Sequence, residues 1–344
     1  MPRLLAALAL LAAPLAGQTI EEQHSPIPGL LQAVSPVSDQ VVWVSGHRGA
    51  VLRTLDGGVT WVPRPVVTGA DTILQFRDIQ ARSADEAWVM SAGNGPDSRI
   101  YHTRDGGAHW TLQFQNADSA AFYDCMTFFD ARTGVAFSDA SHGRSNVLRT
   151  IDGGATWALL PPSAVPAPLE GEGAFAASGG CLTSIDGQHG WVALGAPGAR
   201  IWRTTDAGAT WTSHDTPLVR SASAGGAAAA FRDPMHGIVV GGDMGDYRND
   251  AAAAAVATTS DGGITWTLGA RPGLRGTPFG VTWIPELPQT ALLASPGGLS
   301  LTRDEGKSWS TASEGVFWSV GASGRTAWAV GAAGRNGRIV RLSF

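Results

Sequence analysis

Charged side chains are scarce in this 344-residue sequence, at 15% of residues against the ~25% that is usual for globular proteins. Basic charge is carried almost wholly by arginine, because Lys307 is the single lysine. The net charge is −5, so no basic excess exists to attract nucleic acid or an anionic bilayer. The low charge also argues against a disordered chain or a coiled coil. We therefore expect a folded protein with no nucleic-acid partner.

Amphipathic helical stretches are also lacking, whereas 45 glycines and 20 prolines interrupt the chain repeatedly. This pattern is typical of many short strands joined by turns. Because 44% of the residues are hydrophobic, the chain can bury a full core. The sequence predicts an all-β fold.

The apolar stretch that stands out lies near the N terminus. Arg3 precedes the apolar run 4–15, and the small residues Ala16 and Gly17 follow it. A bilayer span needs ~20 apolar residues, so this segment predicts a secretory signal over residues 1–17 and no direct membrane span. Gln18 stands where a lipidated cysteine would be, which predicts export to the periplasm or the exterior without a lipid anchor. The alternative is a disordered N terminus of a cytosolic protein.

An internal repeat of the form Thr-x-Asp-Gly-Gly-x-Thr-Trp occurs six times with small variations. Successive aspartates are 49, 47, 54, 55 and 43 residues apart, a period typical of four-stranded propeller blades. The boxes occupy residues 54–61, 103–110, 150–157, 204–211, 259–266 and 302–309. Their aspartates are Asp56, Asp105, Asp152, Asp206, Asp261 and Asp304, and their tryptophans are Trp61, Trp110, Trp157, Trp211, Trp266 and Trp309.

The chemistry of the box is structural. A carboxylate at a turn accepts hydrogen bonds from nearby backbone N–H groups, and glycine supplies the positive φ that the turn requires. The tryptophan is large enough to fill the space between two blades. We interpret these aspartates as turn staples rather than catalysts or metal ligands.

Blade number follows from a second repeat. Seven short apolar runs, from 42–46 to 327–331, outnumber the boxes by one. The last unit stops at Phe344, where its aspartate would fall, so the seventh blade lacks an outer strand. Residues 19–24 can supply that strand by pairing with residues 340–343, which would remove two exposed edges. The sequence predicts one seven-bladed β-propeller over residues 18–344, closed by its N-terminal strand.

These motifs carry a family resemblance. The box resembles the BNR or Asp-box repeat of sialidases, xyloglucanases and the sortilin ectodomain. The longer unit, as in residues 186–192 followed by 203–206, resembles the photosystem II stability/assembly factor propellers. Stretches such as 76–79, 97–101, 122–124, 171–178 and 241–243 are similar to a secreted bacterial branch that is often labelled oxidoreductase or glycosyl hydrolase. The photosynthetic members imply a role in the assembly of a membrane complex.

Unusual polar residues map to one face of the predicted propeller. We place the boxes between the third and fourth strands of each blade. Two kinds of connection then lie together on the opposite face, here called the upper face: those that enter the inner strands and those that join the second strand to the third. Loops held by a rigid scaffold often bind ligands. The candidate binding residues are Arg77, Asp78, Asn94, Arg99, Tyr123, Asp124, Asp139, Glu172, Asp243, Tyr247 and Arg248. Solvation of a surface is the alternative for any one of them.

Catalysis and cofactor binding receive less support. A glycosidase needs two carboxylates at a set separation, but the sequence gives no separation. The candidates are Asp78, Asp124, Asp139, Glu172 and Asp243. No nucleotide-binding Gly-x-Gly-x-x-Gly follows a strand, and no cysteine or histidine spacing indicates a metal site, so we expect no cofactor and no metal. Of the tryptophans, Trp283 and Trp318 on inner strands are the plausible channel aromatics.

The two cysteines, Cys125 and Cys181, occupy the same register in adjacent blades. Neighbouring inner strands should be farther apart than the ~7 Å that a disulfide permits, so we expect two buried free thiols. Because export would place the protein in an oxidising compartment, a disulfide between them is the alternative. The function expected from the whole sequence is an exported, non-catalytic propeller that binds a protein partner as an assembly or stability factor of an envelope complex. The alternative is a carbohydrate-active enzyme or glycan-binding module that uses the same face.

Overall fold

The computed structural model describes residues 18–66, 73–249 and 255–344. These residues form seven four-stranded antiparallel sheets around a common axis, a seven-bladed β-propeller. The signal predicted over residues 1–17 lies outside the described residues. Within the described part no helix has the length and apolarity needed to cross a membrane.

Six blades are built from consecutive strands, the first strand of each lying innermost. Blade one contains β2 (Leu31–Pro36), β3 (Val42–Gly46), β4 (Val51–Thr54) and β5 (Val62–Pro63); blade two contains β6 (Phe76–Ala81), β7 (Ala87–Ser91), β8 (Arg99–Thr103) and β9 (Thr111–Gln115). Blade three contains β10 (Tyr123–Phe128), β11 (Gly134–Ser141), β12 (Arg144–Thr150) and β13 (Ala158–Leu159); blade four contains β14 (Leu182–Ile185), β15 (His189–Ala193), β16 (Arg200–Thr204) and β17 (Thr212–Asp215). Blade five contains β18 (Ala224–Phe231), β19 (Gly237–Asp243), β20 (Val256–Thr259) and β21 (Thr267–Leu268); blade six contains β22 (Gly280–Ile284), β23 (Leu287–Ser295), β24 (Gly298–Thr302) and β25 (Ser310–Glu314). Short 3₁₀ turns occupy Gly95–Asp97 and Pro162–Ala164.

Blade seven joins the two ends of the chain. It contains β26 (Val316–Ser323), β27 (Thr326–Ala333), β28 (Asn336–Ser343) and, as its outer strand, β1 (Thr19–Gln23). β1 runs antiparallel to β28, with Thr19 opposite Ser343 and Gln23 opposite Ile339. The predicted closure of the ring by the N-terminal strand is confirmed.

Each Asp box connects the third strand of a blade to the fourth. In the first box the Thr54 hydroxyl donates to Asp56 (2.7 Å) and accepts from the Gly58 N–H (2.9 Å), while the Thr60 N–H donates to Asp56 (2.9 Å). The same bonds recur in the other five boxes. The carboxylates therefore hold the turns.

The core lies between adjacent blades and is rich in aromatic rings. Trp191 of blade four stacks on Phe231 of blade five with ring centres 3.5 Å apart. Its indole N–H also donates to the Gly262 carbonyl in the next box (2.8 Å). Stacking and hydrogen bonding by one side chain fix the spacing of the two blades.

The two cysteines form a disulfide. Cys125 lies in β10, Cys181 directly precedes β14, and their Cα atoms are 6.1 Å apart. The expectation of free thiols is wrong, because at this level of the channel the inner edges of blades three and four approach within the span of a disulfide.

Candidate functional site

Two cavities lie on the propeller axis. The upper cavity, of about 770 Å³, is lined at the face opposite the boxes by residues from six blades and by residues 174–177, which connect blade three to blade four. The lower cavity, of about 590 Å³, is lined by the inner strands nearer the boxes. The upper cavity is the candidate functional site because it gathers most of the titratable and aromatic side chains near the axis.

Residues 172–180, here called the axial segment, cross the channel between the two cavities, and their middle part forms the floor of the upper cavity. Ala174–Ala177 line the upper cavity, and Ser178–Gly180 line the lower one. The segment is bonded to each blade. The bonding groups in blades one to seven are Gln32, Arg77, Asp139, Arg200, Ala229, the Phe279 carbonyl directly before β22, and Ser319.

The predicted candidates divide into those that line the upper cavity and those that do not. The upper cavity brings together Arg77, Asp124, Asp139, Tyr247 and Arg248. Six others lie outside its lining: Asp78, Asn94, Arg99, Tyr123, Glu172 and Asp243.

Three of the candidates outside the upper cavity make contacts that support the fold. Burial raises the pKa of Tyr123 to about 12, and its ring packs edge-on against Phe114 at 5.1 Å. Glu172 is 3% exposed and forms an ion pair with Arg200. Asp243 accepts hydrogen bonds from the Ser223 hydroxyl (2.6 Å) and the Gly245 N–H (2.8 Å).

The remaining three candidates outside the upper cavity lie at a loop, at an isolated bridge and in the lower cavity. Arg99 donates to the Pro96 carbonyl (2.7 Å) and to the Tyr101 hydroxyl (3.2 Å). Asn94 is exposed and pairs with Phe122 in an isolated bridge. Asp78 is buried in β6 and lines the lower cavity instead.

An acid pair lies on one side of the upper cavity. A side-chain hydrogen bond joins Asp124 to Asp139. Burial, followed by the neighbouring Asp139 charge, raises the pKa of Asp124 well above its usual range. Among the described residues no N–H or hydroxyl group donates to the Oδ2 atom of Asp124. Burial also raises the pKa of Asp139, which accepts the Ala174 N–H at 3.1 Å.

Arg77 and His47 line the same cavity as the acid pair. Arg77 donates to the Ala176 carbonyl (3.3 Å) and to Gln75 (3.0 Å). Burial lowers the pKa of Arg77, and the Asp124 charge opposes that shift. Burial and then the Arg77 charge lower the pKa of His47, which therefore lines the cavity as a neutral ring near pH 7.

Aromatic side chains from three consecutive blades form the opposite side. The Trp318 ring lies 4.7 Å from Phe279 and 5.8 Å from Tyr247. Arg248 lies over Tyr247, with its guanidinium carbon 5.4 Å from the ring centre. Sequence reasoning expected Trp318 in the channel but missed Phe279, which directly precedes an inner strand. The second expected channel tryptophan, Trp283, lines the lower cavity.

The geometry of the acid pair restricts its chemistry. A glycosidase keeps its two carboxyl groups roughly 5 Å or more apart, so that a sugar or a water fits between them. Asp124 and Asp139 bond to each other directly, which leaves no such gap. Within the described ranges no group of three or more potential ligands could hold a metal ion. The arrangement suits binding, with an aromatic side, an acidic side and a polar floor.

The fold and the site define a seven-bladed Asp-box propeller with an open axial cavity. A family model described as Photosynthesis system II assembly factor YCF48 matches residues 17–117. No curated protein sequence matches the chain.

Solved structures with a similar fold include two described as YCF48. One is "YCF48 bound to D1 peptide", at 15% identity and a TM-score of 0.66, covering 97% of this chain and 99% of that one. YCF48 from Cyanidioschyzon merolae has 16% identity, a TM-score of 0.63 and coverages of 94% and 98%. The GH74 enzyme of Niastella koreensis has 14% identity and a TM-score of 0.65, covering 91% of this chain and 52% of the enzyme. The family match and these structures confirm the resemblance to the photosystem II assembly factor propellers.

Proposed function

We propose that this protein is an exported, non-catalytic propeller that binds a segment of a protein partner in its upper cavity. It would act there as an assembly or stability factor of an envelope complex. A propeller of similar fold is described as bound to a D1 peptide, which supports a peptide segment as the ligand. Export is inferred from the signal pattern over residues 1–17.

The observation that carries the proposal is the composition of the upper cavity. Aromatic and arginine side chains are the commonest anchors of protein recognition, and Tyr247, Arg248 and Trp318 meet at its wall. The carboxyl groups opposite them can accept hydrogen bonds from a bound main chain. A pocket of this size accepts a few side chains of a partner rather than a whole domain.

Affinity purification from the cell envelope after mild crosslinking tests the proposal. Tagged wild-type protein is compared with Tyr247→Ala, Arg248→Ala and Trp318→Ala combined, and with Arg104→Ala as the control. Arg104 is exposed and belongs to a box on the opposite face. We expect a stoichiometric protein partner whose recovery falls at least ~30-fold in the triple variant, since a central anchor contributes ~2 kcal/mol or more. A partner retained by the triple variant, or no partner at all, would refute the proposal.

A carbohydrate ligand is the second candidate. Trp318 and the Asp124–Asp139 pair share one cavity, and aromatic faces beside carboxylates also suit sugar rings. Binding of the wild-type protein to a glycan array, lost in Trp318→Ala, would favour this candidate. Because the acid pair has no internal gap, we expect such binding to occur without hydrolysis.

A further inference from the structure

The axial segment is a septum between the two cavities. Its residues Ala174–Ala177 face the upper cavity and the next three face the lower one. No blade strand passes through these positions, because the segment lies between the 3₁₀ turn at Pro162–Ala164 and β14. Without it the two cavities would be continuous along the axis.

The segment has strong ties only at its ends. At its start, the buried Glu172 is paired with Arg200. Just beyond its end, Cys181 is joined to Cys125 of blade three. Between them, the segment is held by one or two hydrogen bonds to each blade, such as those from Gln32 to Ala177 (3.1 Å) and from Ser319 to Ser178 (3.1 Å), and by Ala174, which packs in the core between blades three and four. Each such bond contributes only about 1 kcal/mol net.

Glycines make the segment weakly ordered on its own. Gly173, Gly179 and Gly180 lie within it, and Gly179 has a φ of +73°. Glycine loses more conformational freedom on ordering than other residues. The segment therefore depends on its tethers to stay across the axis.

We propose that oxidation of Cys125 and Cys181 fixes the axial segment in place and so completes the floor of the upper cavity. The two thiols give up two electrons and two protons, and a disulfide oxidant such as oxidised glutathione takes them up and becomes two thiols. In the dithiol form the segment, still held by Glu172 at one end and by β14 at the other, loosens between these two points and the two cavities join. A second consequence, which rests on the proposed function, is that the protein binds its partner only in an oxidising compartment.

Hydrogen exchange tests the septum without any ligand. Oxidised full-length protein is compared with protein reduced by tris(2-carboxyethyl)phosphine and with a Cys125→Ala/Cys181→Ala variant, which removes the tie without a reductant. We expect amides at 173–180 to exchange at least ~10-fold faster in the reduced protein and in the double variant than in the oxidised protein. Amides of β27 and β28 serve as the internal control and should change less than ~2-fold. Unchanged exchange at 173–180, or an equal rise in every blade, would overturn the proposal.

Alkylation gives an independent measurement. Both cysteines are fully buried in the closed form, so iodoacetamide can reach the reduced thiols only when the segment moves. We expect both thiols of the folded, reduced protein to react much faster than the protein unfolds. Labelling no faster than global unfolding would contradict the proposed opening.

Partner capture separates this inference from the proposed function. Crosslinking with reduced protein should recover at least ~10-fold less partner than with oxidised protein. Equal recovery would overturn the link between oxidation and binding. A lack of any partner with oxidised protein would instead refute the proposed function and leave the exchange result standing.

Discussion

Asp78 shows how one buried side chain couples this fold to pH. It is 4% exposed, and its carboxylate accepts the Met126 N–H of the neighbouring blade at 2.7 Å. Burial raises the pKa of Asp78 to about 8, and the Met126 bond opposes that shift. The residue therefore links blades two and three as a neutral acid near pH 7, rather than as a charged group at the surface.

Stability should fall with pH because of Asp78. Its pKa is higher in the folded state than in the unfolded state, so its contribution is complete below about pH 4 and is lost as the pH rises through about 8. Asp78→Asn removes this titration while keeping an oxygen for the Met126 N–H. We expect the free energy of unfolding of the variant, relative to that of the wild type, to increase by on the order of a few kcal/mol between pH 5 and 8. Urea unfolding at several pH values measures this.

A matched substitution controls for loss of charge alone. Asp215→Asn changes a carboxylate that is 74% exposed and should follow the wild-type pH profile. If Asp78→Asn also follows that profile, Asp78 is not the titrating group.

Among the elements, the Asp box combines a turn with a staple between two strands. In the fourth box Asp206 accepts the Thr204 hydroxyl (2.8 Å), the Thr210 N–H (2.9 Å) and the Thr210 hydroxyl (2.6 Å). Burial alone would raise the pKa of Asp206, but the hydrogen bonds from Thr210 and Thr204 outweigh it and lower that pKa. The charged form therefore stabilises the connection from β16 to β17.

Removing one staple should cost a modest amount of stability. Asp206→Ala loses three hydrogen bonds in a partly solvated turn, so we expect the Tm to fall by about 2–4 °C at pH 7. Since the folded-state pKa of Asp206 is lowered, its contribution is present above about pH 4 and is lost as the pH falls further. Calorimetry at pH 7 and at the lowest pH where the protein stays folded should show the difference shrinking. An equal difference at both pH values would mean that the carboxylate charge plays no part.

At the scale of the whole molecule, the parts that repeat were predictable and the parts that cross between blades were not. The six boxes and the seventh apolar run determined the number of blades, and the missing outer strand pointed to β1. The disulfide, the acid pair and the axial segment depend on how closely inner strands converge at the axis. No local pattern encodes that distance. The register of β10 shifts between Tyr123 and Cys125, and of the neighbours Tyr123 and Asp124 only Asp124 lines the cavity.

Ring closure by β1 makes the final test of the whole molecule. Besides its backbone pairing with β28, β1 contributes Gln23, which donates to the Gly57 carbonyl (2.8 Å) and accepts from the Trp61 indole (3.2 Å). Blade seven is thereby bonded to the first box of blade one.

A chain starting at residue 24 leaves β28 as an open edge, and one starting at residue 18 is the control. We expect the shorter chain to lose at least ~5 °C in Tm and to self-associate through that edge, measured by calorimetry and light scattering. Gln23→Ala in the longer chain should lower the Tm less and leave the protein monomeric, because the edge stays covered. A shorter chain as stable and as monomeric as the control would mean that packing between the blades alone holds the ring closed.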